Sequence, residues 1–205
     1  MAVKNDVGNK SEFLKTCCGW FAAYLFCVSG TSQAVCNPNM PLTRPDSRYE
    51  LIEGVNPIGS EVRDRVTGLI WQRCLVGMVW NGATCTGTAS KLTWVSALEV
   101  ARNASASTVA PSFPWRVPNH AELFSLAERS CYKPAINTTW FPETASEFTL
   151  TSSASPGANP SGGSNSLLFS GGQFRGIHFN AGSDLLGYDM SVVGVLRLVR
   201  HEKRF

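Results

Sequence analysis

The chain has 205 residues, of which 43% are hydrophobic and 16% charged, and its formal net charge is +3. That balance excludes a disordered or fibrous chain and fits one compact globular domain with length enough for a sizeable core. So small a net charge also argues against the strongly basic face of a nucleic-acid binder, and no nucleic-acid partner is expected.

Lys4, Lys10 and Lys15 precede an apolar run from Cys17 to Val28, and Ser32-Gln33-Ala34 offers small residues where a signal peptidase reads. Residues 1–34 therefore read as a secretory signal peptide cleaved after Ala34. The run is shorter than the ~20 apolar residues of a spanning helix, so the membrane is met only through the export signal. The expected location is secreted, periplasmic or at the cell surface. Of the 7 cysteines, Cys17, Cys18 and Cys27 leave with the signal, while Cys36, Cys74, Cys85 and Cys131 stay. Four cysteines in an exported chain read as two disulfides, with three connectivities open. A metal site is disfavoured because no Cys-x-x-Cys spacing occurs and histidine is scarce, and no cofactor is expected.

Residues 35–47, with Pro38, Pro41 and Pro45, read as an extended arm ahead of a domain over 48–205. Tyr49 to Glu53 and Glu61 to Arg65 alternate as short strands around a loop holding Gly54, Pro57 and Gly59. A Thr67-Gly68 turn then leads into the apolar Leu69-Ile70-Trp71. Next comes a hairpin with Asn81-Gly82 at its tip, where both residues tolerate the positive φ of a type I′ turn. Cys74 and Cys85 face each other across that hairpin in this reading and pair, which leaves Cys36–Cys131 by elimination. The second bridge would close a long loop, worth about 4 kcal/mol in the chain-entropy picture.

Thr93 caps a first helix in which Trp94, Ala97, Leu98 and Ala101 recur at helical spacing, ending in the polar segment after Ala101. Asn119, with Glu122 three residues on, has the capping-box spacing, and Leu123, Leu126 and Ala127 form an apolar stripe toward Cys131. Just before it, Trp115 reads as core, and Arg116 as a partner for a carboxylate or buried carbonyls. Further strands are expected at Glu147–Leu150, Leu167–Phe169, Arg175–Phe179 and Val192–Arg200, the last apolar enough for the centre of a sheet. Residues 151–165, crowded with Ser, Gly and Pro, read as a long surface loop. Many short strands with two helices make an α+β domain.

Several motifs coincide in order. They are Thr67-Gly68-Leu69-Ile70-Trp71-Gln72-Arg73-Cys74, Trp94-x-x-Ala97-Leu98, and Trp115-Arg116-Val117-Pro118-Asn119 with Glu122-Leu123. Pro134-Ala135-Ile136-Asn137 with Phe141-Pro142, Thr151-Ser152-Ser153 and Val195 to Arg200 complete the set. Together they resemble the Lcl C-terminal domain family, named for a collagen-like adhesin of Legionella, over roughly Arg48 to Arg200. The resemblance implies a secreted or surface-exposed bacterial domain of C-type-lectin-like architecture, with short antiparallel strands, two helices and long loops. In the namesake the domain binds sulfated glycosaminoglycans and trimerises behind a collagen-like stalk. No collagen-like Gly-x-x period occurs here, so the trimer is not carried over and the oligomeric state stays open; Leu150 stands where family members commonly place an aromatic before Thr-Ser-Ser, so glycan binding is not inherited from the resemblance.

Chemistry-bearing motifs are few. There is no Gly-x-Ser-x-Gly, His-Glu-x-x-His or phosphate-binding glycine loop, so no catalytic residue is assigned and no enzyme is expected. His120 and His178 read as packing or surface residues, and Asp184 and Asp189 near Asn180 as a solvated acidic loop. The dense basic stretch Arg197, Arg200, His201, Lys203 and Arg204, joined by Arg175, is the candidate ligand site. Guanidinium and ammonium groups would meet a sulfated or anionic polysaccharide through charge-assisted hydrogen bonds. The function expected is thus a non-catalytic adhesin or recognition module. The rival reading is a structural subunit of a surface appendage or envelope assembly, bound to a cell-surface protein through the arm or the 151–165 loop.

Overall fold

The computed structural model describes residues 34–106, 113–155, 173–189 and 191–201. Residues 1–33 of the expected signal peptide, the Leu167–Phe169 strand, residues 156–165 of the long loop, and Lys203 and Arg204 lie outside the described residues. In chain order the strands are β1 (Val35–Cys36), β2 (Tyr49–Leu51), β3 (Glu61–Asp64), β4 (Leu69–Gln72), β5 (Met78–Trp80) and β6 (Cys85–Gly87). Helices α1 (Trp94–Ala106) and α2 (His120–Phe124) follow, then β7 (Cys131–Tyr132), β8 (Phe148–Ser155), β9 (Gln173–His178), β10 (Ser183–Asp189) and β11 (Val199–His201). The architecture is mixed, with two helices and small antiparallel sheets in the orders β11-β4-β3-β2, β10-β9-β8, β1-β7 and β5-β6.

β4 is the strand around which both cores form. Its run Leu69-Ile70-Trp71 is buried throughout, as a strand covered on two faces must be. Leu69 and Trp71 point into one cluster with Tyr49, Leu123, Phe141 and Phe179. Ile70, one residue out of phase, points into a second cluster with Ala97, Trp115, Leu150 and Phe174. The period of two therefore divides one short strand between two layers.

The β3–β4 turn is locked by Asp64, which is fully buried. Its carboxylate accepts from Val66 N at 2.9 Å, from Thr67 Oγ1 at 2.8 Å, and from both ends of the Arg48 guanidinium at 2.8 and 2.5 Å. Gly68 closes the turn at φ +71°, a conformation that costs glycine little. Burial alone would raise the Asp64 carboxyl, but the bonds from Arg48, Thr67 and Val66 outweigh it and hold it below the usual range.

Both disulfides form as expected, Cys74–Cys85 and Cys36–Cys131. The hairpin differs in detail from the expected two-residue turn. Trp80 pairs with Cys85, so the loop is the four residues 81–84. The Asn81 side chain closes it by accepting from Ala83 N and Thr84 N, each at 2.9 Å. Cys74 precedes β5, so the bridge ties the hairpin to the end of β4 instead of spanning it.

α1 begins at the Thr93 cap, with Ser96 N donating to Thr93 Oγ1 at 3.3 Å, but it runs on to Ala106. Its buried stripe consists of Ala97 and Ala101, while Leu98 is 37% exposed. Small side chains let the helix lie close to β8, where Trp94 Nε1 donates to Thr151 O at 2.9 Å. The capping box of α2 is complete, with Asn119 Oδ1 accepting from Glu122 N and Glu122 Oε2 from Asn119 N, both at 2.8 Å. The helix stops at Phe124 rather than continuing toward Cys131; Leu126 and Ala127 are buried in a turn, and Ala127 bridges to Ile136.

The last third departs most from the sequence reading. Residues 151–155, expected as loop, extend β8, where alternate registers on β9 absorb an irregularity after Leu150. Asp184 and Asp189, expected in an acidic loop, belong to β10. Val192–Arg200 is not one central strand: only Val199–His201 forms a ladder, at the margin of its sheet, with bridges from Gly194 to Leu92 and from Val195 to Thr149. Residues 194–199 are nonetheless buried, because they thread between elements and satisfy each in turn.

Candidate functional site

Burial and pairing engage the described arginines of the expected basic cluster separately. Arg197 has no exposed surface. Its Nη1 donates to Gln72 O at 2.8 Å and also to Arg73 O, and its Nη2 to Thr144 Oγ1 at 2.7 Å, with the guanidinium 4.9 Å above the Phe141 ring. Burial, with the neighbouring Arg73 adding to it, pushes its pKa down to about 9. Arg197 is a hub for backbone carbonyls and cannot meet a polymer at the surface. Arg73, 8% exposed, does the same for Gly59, Thr139 and Trp140. Arg200 is bound to Glu61 at 2.6 Å and stacked 5.1 Å over Trp115, so it is engaged structurally. Arg175 sits half-buried on β9, and Lys203 and Arg204 fall beyond the described residues.

What the fold brings together instead is a groove of about 550 Å³ between α1, the segment 115–122 and the end of β11. Arg102 of α1, Arg116, Asn119, Glu122, Ser152 of β8 and His201 provide its polar wall. Trp115 and Val117, both buried, form its floor. The placement is local in origin. Arg116 pairs through its backbone with Val199 at 2.9 and 3.0 Å, which sets it beside His201 two residues on. Pro118 O accepts from Ser152 N at 2.8 Å and so docks β8 against the start of α2.

Arg116 grips Glu122 with both Nη atoms at 2.7 Å, as a bidentate fork. Burial would raise the Glu122 carboxyl, but Arg116 and the Asn119 N–H outweigh that and hold it low. Arg116 Nη2 also lies 3.0 Å from His201 Nε2. Arg102 is exposed and has no ion-pair partner among the described residues. The wall thus carries two guanidinium groups against one carboxylate, with an imidazole, an amide and a hydroxyl between them.

A second cavity of about 480 Å³ opens where Trp80, Met78, Val76 and Leu198 meet. It is walled mainly by apolar side chains and offers no comparable convergence of charge. Among the described residues no group of three or more His, Cys, Asp or Glu side chains could hold a metal ion.

Arg102 does not stand out in the sequence, and Ser152 does so only as part of Thr151-Ser152-Ser153, a stretch expected as loop. Arg102 follows Leu98 by one turn, so the helical spacing around buried Ala97 and Ala101 puts it at the edge of the buried stripe. That signal becomes useful only when the groove it borders is known. A family model described as the Lcl C-terminal domain matches residues 60–200. No curated protein and no solved structure matches the chain.

Proposed function

This chain belongs to the Lcl C-terminal domain family, and from that premise we propose an exported, non-catalytic adhesin or recognition module that binds an anionic or sulfated glycan. The observation that carries the reading is the groove, where Arg102 and Arg116 flank hydroxyl- and amide-bearing side chains over an apolar floor. Such a wall can take a sulfate or carboxylate through the arginines and sugar hydroxyls through Asn119, Ser152 and Glu122. A sugar ring would rest on the apolar floor. The C-type-lectin-like architecture belongs to the same reading, supported by the short antiparallel strands, two helices and long connections.

Export is supported by the two disulfides, which persist in oxidising compartments. No helix among the described residues is long and apolar enough to cross a membrane.

The test is binding of the oxidised domain to immobilised heparin and to its desulfated form, across a salt series. Binding to heparin should weaken with salt, as exposed charge contacts do. Arg102→Ala should lower the affinity by about fivefold while leaving the thermal midpoint unchanged, since exposed charges contribute little to folding. Equal retention of both polymers, or an Arg102→Ala protein that binds as the parent does, would refute the reading.

One observation favours the rival, a protein-interaction subunit. Val35, Met40, Leu42 and Tyr132 are each about half exposed around the arm, an apolar surface of the kind that partners cover. An exported partner co-purifying with the domain, in the absence of any polysaccharide binding, would decide for it.

A further inference from the structure

The groove contains a contact that only one protonation state can make. Arginine has five N–H donors and no acceptor, so at 3.0 Å from Arg116 Nη2 the His201 Nε2 must be the acceptor. The imidazole is then neutral, with its proton on Nδ1. Protonated, it would turn an N–H toward a guanidinium, and donor would face donor, cation facing cation. We propose that His201 is a pH switch of the anion-binding groove: protonation breaks its contact with Arg116 and adds a positive charge to the wall, raising affinity for a polyanion in mildly acidic surroundings. The proposal rests on the groove being the glycan site.

The surrounding charges favour this outcome. Arg116 is held from its other side by the Glu122 fork at 2.7 Å, so it has no reason to leave when the imidazole does. Glu122 remains ionised well below the pH at which imidazoles titrate, because Arg116 and the Asn119 N–H hold its carboxyl low. Arg102 stands across the groove on α1 as a second guanidinium, and Arg200, next in sequence to His201, is committed to Glu61 at 2.6 Å. Among the described residues lining the groove, His201 is the one imidazole, the side-chain type that serves proteins as a switch near neutral pH. His201 is exposed at the end of β11, so nothing in the core must move for the ring to swing out.

Dextran sulfate is a suitable probe because its own charge is constant over that range. Its affinity for the oxidised domain should rise on the order of fivefold from pH 7.5 to pH 5.5, the effect of one unit charge about 5 Å away under water-like screening. His201→Gln, which keeps an acceptor and cannot be protonated, should show no rise between the two pH values, whatever its affinity at pH 7.5. His120→Gln and His178→Gln should keep the full rise. A parallel NMR titration of the free domain reads the switch without any ligand: the Arg116 side-chain resonances should shift with the same midpoint as the His201 ring protons, and the shift should vanish in His201→Gln.

A pH-independent affinity, or a rise that survives in His201→Gln, overturns the proposal. So does an Arg116 signal that ignores the His201 titration. If the NMR transition is present but dextran sulfate binds at neither pH, the contact switches as described while the anionic-glycan reading, and the affinity gain built on it, both fall.

Discussion

Glu128 holds the arm to the domain, and its replacement offers the sharpest test of how this fold is fastened. The side chain is 1% exposed. Its carboxylate accepts from Thr43 N at 2.9 Å, Thr43 Oγ1 at 2.8 Å, Arg44 N at 2.5 Å, Ser130 N at 3.0 Å and Ser130 Oγ at 2.7 Å. Burial would raise its pKa, but these donors outweigh the burial and bring it from 4.5 down to about 2. At about 1.4 kcal/mol for each pKa unit, ionised Glu128 contributes about 3 kcal/mol to folding at neutral pH. The folded value lies below the unfolded one, so the contribution is complete above the unfolded pKa of 4.5 and fades as pH falls toward about 2.

Glu128→Gln keeps the shape but removes the charge and turns an N–H₂ group either toward Arg44 N or toward the four donors on Oε1, and it should cost about 3 kcal/mol at pH 7. Urea denaturation of the oxidised protein at pH 7, 5 and 2.5 measures it. The parent should lose stability between pH 5 and 2.5 more steeply than the variant. A Glu128→Gln protein with the parent's midpoint at pH 7 and the parent's pH slope would refute the assignment.

The two disulfides should contribute unequally. Cys36 and Cys131 are separated by 95 positions and Cys74 and Cys85 by 11. Loop-closure entropy then assigns roughly 4–5 kcal/mol to the first bridge and about 3 kcal/mol to the second. Calorimetry of the paired Cys→Ala variants should rank them in that order, and the reverse order would contradict the entropic account. Arg197→Met leaves Gln72 O, Arg73 O and Thr144 Oγ1 without their donor and should cost about 3 kcal/mol in urea denaturation. Arg197→Lys should not restore it, since an ammonium cannot span both sides of the site; equal stability of either variant would show that the buried guanidinium is dispensable.

Capping and strand signals were legible because they are local. Asn119 and Glu122 find each other within one turn, whatever surrounds them, and the complete capping box follows from three-residue spacing alone. Leu69-Ile70-Trp71 is too apolar to lie anywhere but between two layers. The disulfide partners were also within reach, because four cysteines leave few pairings. The length of α2 was not, since the stripe through Leu126 and Ala127 fits a helix as well as a buried turn. β10 was missed because Ser183–Asp189 lacks a run of β-branched residues and pairs only through its partner β9.

The candidate site shows the same division more plainly. Composition, cysteine placement and motif order determine that this is a disulfide-bonded α+β domain of a particular family. They also mark a basic stretch from Arg197 to His201. Which of those cations meets solvent is decided by the tertiary structure alone. Alternation along an irregular, threaded segment does not reveal that Arg197 turns inward to carbonyls 124 and 125 positions away, that Arg200 is taken by Glu61, and that His201 reaches Arg116. A charged side chain is identical in sequence whether it is solvated or satisfied by distant backbone, and only the three-dimensional arrangement of its acceptors distinguishes the two.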